Sequence, residues 1–385
     1  MSFEPTEELG QDMTPPDITD QPLRIDQGER RSRFEVVARA ETVFDVMLAL
    51  WSAFGGDDRA QQHELGKKFF ENFRRAIPAD TVAEMERTGM SDGSMWATLY
   101  TYVAVNAPVG DDDTVLHWLD TLDRDIAGEI LCELAWSAEP DAVEKAVETR
   151  HPEDLAKVLP AVKEHARSCV TAAMKVPVAE MGPAIANVLR VARDTAYAPY
   201  LANWGPAIAA SADSTRHLSG ALDPHTLIER VTNGIAYEIP LGTRQLVMIP
   251  TVTLRPWTLI TDFGDSVVVG YGVADEHLDH DPDAAPGWLV RFHKALGDDK
   301  RLRILREVAD GGSTLGELTD LLGVAKSTVF HHIGILRAAG LIRVVFGKNE
   351  DGVNCYQLRH EAFADAHAQL QKYLEVTLSS EGNRP

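Results

Sequence analysis

The chain has 385 residues, which at roughly 150 residues per domain implies two or three cores rather than one small module. Apolar residues make up 44% and charged residues 25%, proportions that exclude collagen-like, wholly disordered and membrane-embedded classes. Lys plus Arg number 37 against 59 Asp plus Glu, a formal net charge of −22, and an acidic surface of that size argues against a nucleic-acid partner until the charge is located along the chain. Cys132, Cys169 and Cys355 are an odd number, far apart and without a CxxC pair, so neither a disulfide framework nor a thiolate zinc site is indicated and a reducing cytoplasm fits. The opening MSFEPTEELGQDMTPPD has no basic start or apolar core of a signal peptide, and no apolar run approaches the ~20 residues of a membrane span. The expectation is a cytoplasmic protein with no membrane partner.

In chain order, residues 1–32 combine acids, prolines and few aromatics and read as a disordered acidic tail. From Ala40 to Phe54, Val43, Met47, Leu50, Trp51 and Phe54 recur at three and four residues, the signature of one helical face. Segments 57–77, 79–89, 93–106, 111–137, 140–167 and 183–210 read as further helices, separated by Ile77-Pro78, Glu139-Pro140 and Gly182-Pro183. After Asn233 the runs YEIP, RQLVMIPTVTL, WTLITDF and SVVVGYGV are β-branched and punctuated by Pro and Gly264-Asp265, which predicts a small antiparallel sheet over 236–273. Residues 33–38 can add an edge strand to it. Residues 33–273 therefore read as a mainly helical sensor or oligomerisation domain. Residues 274–286 read as an acidic linker, 287–378 as a second domain and 379–385 as a tail. The fold class is mainly α with α+β parts.

Charge is divided unevenly between these parts. Residues 290–351 hold ten basic and eight acidic side chains, net +2, and 352–385 net −1, which leaves −23 on residues 1–289. The second domain is thus locally compatible with DNA. Within it, Leu302, Ile304, Leu305 and Val308 give a buried helix face, Thr314–Leu322 a short second helix, Gly323 a turn and Lys326–Ala338 a third helix. LIRVVF, GKNEDG and VNCYQL then form strand, turn and strand of a hairpin, and residues 360–378 a final amphipathic helix.

This segment resembles the winged helix-turn-helix domain of the ArsR/SmtB family of bacterial transcription regulators, through ALGD at 295–298, RLRIL at 301–305, GELTDLLGV at 316–324, STV at 327–329, His332 and LRAAGLI at 336–342. Asp299-Lys300 departs from the Pro-Thr usual there. The sheet region resembles the N-terminal domain found ahead of such winged helices in actinobacterial regulators, a likeness that names no ligand. In a recognition helix the N-terminal half meets base edges in the major groove. At ~100° per residue, Val329, Ile333 and Leu336 point inward while Ser327, His331, Gly334 and Ala338 point outward, with Lys326 at the entry. Lys326, Ser327, Thr328, His331, Gly334 and Arg337 are the candidate DNA contacts of the helix. His331 reads either as a base contact or as a surface histidine, and Gly334 as a place where DNA backbone approaches closely. Arg343, Lys348 and Asn349 in the wing read either as phosphate or minor-groove contacts or as a solvated hairpin tip.

Metal-sensing relatives, the resemblance implies, carry Cys-x-Cys in the second helix of this motif, where Thr314-Leu315-Gly316 stand here. Others use Asp-x-His and a second His on the last helix. Asp365-Ala366-His367 matches only the first half, so no metal or other cofactor is expected. The family's dimer forms through the first and last helices, and Phe363, His367, Leu370 and Leu374 make a suitable stripe. The front region has no P-loop, GxGxxG, GxSxG or HExxH, so no enzyme is expected. Its aromatics Trp96, Tyr100, Tyr102, Trp118, Trp136, Tyr197, Tyr200 and Trp204 read either as core or as the wall of an effector pocket. The expected protein is a dimeric, ligand-responsive repressor that binds a palindromic double-stranded operator. The alternatives are a winged helix that docks onto protein and an enzyme targeted to DNA by its winged helix.

Overall fold

The computed structural model describes residues 34–55, 63–91, 93–278, 285–345 and 354–381. The expected tail at 1–32, linker residues 279–284, the hairpin tip with Lys348 and Asn349, and residues 382–385 lie outside them. After β1 (Glu35–Ala38) comes α1 (Val43–Phe54), in which every residue from Val43 to Leu50 is buried. It is a central helix, apolar on nearly all sides, not the one-faced helix its spacing suggests. α2 (Gly66–Ala76), α3 (Ala79–Arg87) and α4 (Gly93–Asn106) follow. The single helix expected over 111–137 is two, α5 (Asp112–Asp120) and α6 (Ile126–Leu134). Asp111 and Asp125 each accept a backbone N–H three residues on, from Thr114 at 2.8 Å and Gly128 at 2.9 Å, and so each starts its own helix.

Residues 140–167 divide in the same way. Arg150, at φ 52°, ends α7 (Pro140–Thr149), and Pro152 opens α8 (Pro152–Val158) from the first helical position, where its missing N–H costs nothing. α9 (Arg167–Ala173) comes next. Gly182-Pro183, expected to break the chain, lies inside α10 (Val178–Ala192), which continues through a π-helical turn into α11 (Ala198–Ser219). Tertiary contact favours the small residue there, because a Cβ on Gly182 would stand 2.3 Å from the Leu119 carbonyl oxygen. α12 (Pro224–Val231) ends the helical run, its N-cap Asp223 accepting the backbone N–H groups of His225 and Thr226.

The front sheet is not antiparallel as expected. β1, β3 (Gln245–Thr251) and β5 (Ser266–Gly272) run parallel, and only β4 (Leu259–Phe263) is antiparallel, at the edge beside β5. The reason lies in burial. β3 and β5 are buried along nearly their whole length, and strands covered on both faces carry the continuous apolar runs typical of parallel sheets. β1 does form the expected edge, with Glu35 opposite Gln245. β2 (Ile235–Ala236) leaves this sheet for another one.

The remaining elements are α13 (Gly287–Leu296), α14 (Asp299–Ala309), β6 (Ser313–Thr314), α15 (Leu315–Leu322), α16 (Lys326–Ala338), β7 (Ile342–Val345), β8 (Cys355–Leu358) and α17 (His360–Glu381). β7 and β8 form the antiparallel wing, β6 pairs with β8, and β2 adds to β7 in parallel, so the front region supplies the outer strand of the wing sheet. From Glu35 onward the described chain clusters as one unit. The front core is tied by a buried polar group, Asp45 on α1. It accepts Tyr197 Oη at 2.7 Å, Thr253 Oγ1 at 2.7 Å, the N–H groups of Val252 and Thr253, and Thr251 Oγ1. Burial raises the pKa of this carboxyl above the usual aspartate value, and the five donors offset only part of that cost.

Candidate nucleic-acid interface

Each element of the helix-turn-helix has a local cause. Asp298 caps α14 through the Arg301 N–H at 3.0 Å. Thr314 and Glu317 form a reciprocal capping box at the start of α15. Gly323, at φ 64°, takes the left-handed conformation that ends α15 and turns the chain into α16. Ile304, Leu305, Val308, Val329, Ile333 and Leu336 are buried in one core, which holds α16 at a fixed angle to α14 and α15. Leu302, expected in that core, is 50% exposed. It lies two residues and so ~200° from Ile304, on the opposite side of α14.

The inward phase of α16 is as the sequence predicts, but the outward phase meets two environments. Lys326, Ser327 and His331 are exposed and Thr328 is half-buried. Phe330, 37% exposed and next to His331 in sequence, stacks on Trp257 of the front region, with ring centroids 5.5 Å apart and planes 5° apart. Gly334 is buried, and a Cβ there would stand 3.0 Å from the same indole. Glycine at 334 therefore admits Trp257 in this arrangement, where the sequence suggested DNA backbone. Arg337 lies 5.8 Å from the Trp257 ring centroid and donates to Thr258 Oγ1 at 2.8 Å. Its Nε is buried with no hydrogen bond. Burial pulls the pKa of this guanidinium down to about 10, with Tyr356 opposing, so it stays charged near neutral pH at an energetic cost.

His332 is buried as its phase predicts, yet its Nδ1 makes no hydrogen bond, and Asp298 Oδ1 is 3.9 Å away. Burial lowers its pKa below the ordinary histidine value, more than Asp298 raises it. In the wing, Arg343 faces carboxylates from both sides, Glu229 of α12 at 3.3 Å and Glu361 at 3.9 Å. Arg359 donates to Asn233 Oδ1 at 2.5 Å and to the Gly340 carbonyl at 3.1 Å. The expected linker is partly anchored rather than solvated. Asp275 is buried and bridges Arg255 and Arg291. Burial opposes its charge, but these two arginines outweigh burial and hold its pKa below the usual carboxylate value.

On α17, Phe363 packs edge-on against Phe292 at 5.8 Å and is 37% exposed; Leu374 is 50% exposed, His367 is exposed and Leu370 is half-buried. Val290 on α13 is 36% exposed. Among the described residues no group of three or more His, Cys, Asp or Glu gathers to hold a metal ion, and no helix is long and apolar enough to cross a membrane. Of the front aromatics, Trp96, Tyr100, Tyr102 and Tyr197 are core, Trp118, Tyr200 and Trp204 are at its margin, and Trp136 is exposed. Trp257, which with Thr258 touches α16, was not singled out by sequence, since one tryptophan before a strand carries no periodic signal.

A capped tri-helical core, a left-handed turn into α16 and a two-stranded wing define a winged helix-turn-helix, the class that presents one helix to the major groove. A family model described as a helix-turn-helix domain matches residues 296–345. The HTH-type transcriptional regulator CmtR of Mycobacterium tuberculosis, and that of Mycobacterium bovis, are 32% identical over 99 residues, 25% of this chain and 77% of theirs. A solved ArsR family transcriptional regulator is 24% identical over 26% of this chain and 98% of its own, with a TM-score of 0.21. The chain belongs to the ArsR family of helix-turn-helix transcriptional regulators, through its C-terminal quarter.

Proposed function

We propose that the protein is a dimeric, ligand-responsive repressor that reads a palindromic operator with the N-terminal half of α16. The observation that carries this reading is the exposure of Ser327 and His331 on the face opposite the buried Val329, Ile333 and Leu336, with Lys326 exposed at the helix start. Lys326 supplies a phosphate contact, Ser327, Thr328 and His331 lie toward base edges, and Arg343, Lys348 and Asn349 serve the wing's contact with the backbone. Gly334 and Arg337 face Trp257, so they report on the front region rather than on sequence.

Dimerisation joins α13 and α17 of two copies, supported by the exposed Val290, Phe363 and Leu374. The half-sites then lie about one helical turn or a multiple apart. Selection of bound DNA from a random pool tests the reading. A two-fold symmetric consensus, bound with a steep salt dependence, is expected; no enrichment sinks it. The second reading, a winged helix that docks onto protein, draws on Phe330 stacking on Trp257. A salt-independent or absent DNA affinity favours it.

A further inference from the structure

A cleft of about 580 Å³ lies where α11, α12 and β5 of the front region meet α13 and α16, a volume within the ~300–1,000 Å³ of small-molecule sites. Five arginines line it: Arg230, Arg255, Arg291, Arg337 and Arg359. Arg255 and Arg291 are matched by Glu64 and Asp275, and Arg359 by Glu361 at 3.4 Å. Glu276, with its side chain exposed, pairs with His277 at 3.7 Å. Arg337 and Arg230 have no carboxylate within ion-pair distance among the described residues, and Arg337 leaves a buried Nε without any acceptor. A buried, unmatched guanidinium is costly unless an anion completes it. Leu218, Val231, Trp288 and Ala338 supply apolar wall to the same cleft.

We propose that this cleft binds a small organic anion, its carboxylate or phosphate head between Arg337 and Arg230 and its apolar body against Leu218, Val231 and Trp288. A planar guanidinium offers paired N–H donors that fit either oxyanion, while the apolar wall selects against inorganic ions. Arg230 belongs to the front region and Arg337 to the recognition helix, so the anion is held fully only while α16 rests on Trp257. By linkage, a ligand that prefers this docked arrangement draws the population toward it and lowers operator affinity wherever DNA binding requires α16 to leave. This coupling rests on the reading of the protein as a ligand-responsive DNA-binding regulator; the site itself does not.

The test uses the full chain and calorimetric titration with benzoate, phenyl phosphate and, as a cationic control, choline. Benzoate or phenyl phosphate binds with millimolar or tighter affinity and choline does not. Arg337→Lys and the exposed-site variant Arg230→Ala each weaken binding by roughly tenfold or more, the loss expected for a charge-assisted hydrogen bond. Arg230 has no role in the core, so its variant stays informative even if Arg337→Lys perturbs folding. Failure of both anions to bind, or binding by Arg230→Ala as tight as by the parent chain, overturns the site. Operator affinity measured with and without the bound anion separates the two claims. Binding through these arginines with DNA affinity unchanged, or with no DNA affinity at all, upholds the site and removes the coupling.

Discussion

The two halves of α16 lie on one continuous helix but have different neighbours. Toward its start, Lys326, Ser327 and His331 are exposed and Phe330, which stacks on Trp257, is still 37% exposed, while further on Gly334 and Arg337 are covered by Trp257 and Thr258. Recognition helices read bases with their N-terminal residues, so the front region takes the part of the helix that reading needs least. That division gives the front region a grip on the helix without covering the side chains proposed to contact DNA. Its charge adds to this, because the acidic residues before 290 oppose phosphates within a screening length of ~8 Å.

The strongest way to break this division is to cut the joint beneath it. Asp275→Ala removes the carboxylate that bridges Arg255 and Arg291 and leaves the buried Arg255 with Glu64 alone, and the expected loss is up to about 3 kcal/mol of stability by chemical denaturation, with the winged helix and front region unfolding in separate steps. A single unchanged transition would remove Asp275 from the joint. The same carboxyl sets an acid limit. Its pKa is depressed on folding from 3.8, so its stabilisation is fully present above that value and lost as pH falls through the lower folded one. Asp275→Asn should lower stability at neutral pH and flatten this acid loss, read from denaturation midpoints across pH.

Next in size is Trp257→Ala, which removes the stack on Phe330 and the cation–π contact of Arg337 at a cost of about 2 kcal/mol. Operator affinity should rise in this variant, measured by fluorescence anisotropy. A fall would mean that Trp257 supports DNA reading instead of restraining it. Within the exposed half, His331→Ala should cost ~1–3 kcal/mol of operator affinity and relax the preference at one position per half-site. Lys326→Ala is the mildest: it weakens all sequences alike and reduces the salt slope by about one. Equal losses from Arg337→Ala in base preference would erase the distinction between the two halves.

The winged helix was legible because its determinants are local. Capping by Thr314 and Glu317, the left-handed Gly323 and the inward spacing of Val329, Ile333 and Leu336 are each decided within a few residues, and the buried phase of α16 follows from them. The front region was less legible where distant chain decided the outcome. Gly182-Pro183 sits inside a helix because a remote carbonyl packs on it. β3 and β5 are parallel because burial on both faces, which spacing alone cannot reveal, selects that pairing. The helical period identified Ser327, His331 and Gly334 as outward-facing, and this is a property of one helix. Whether outward means solvent or Trp257 is a property of two segments about 75 residues apart, and only the tertiary structure, by bringing β2 beside β7 and Trp257 against α16, decided it.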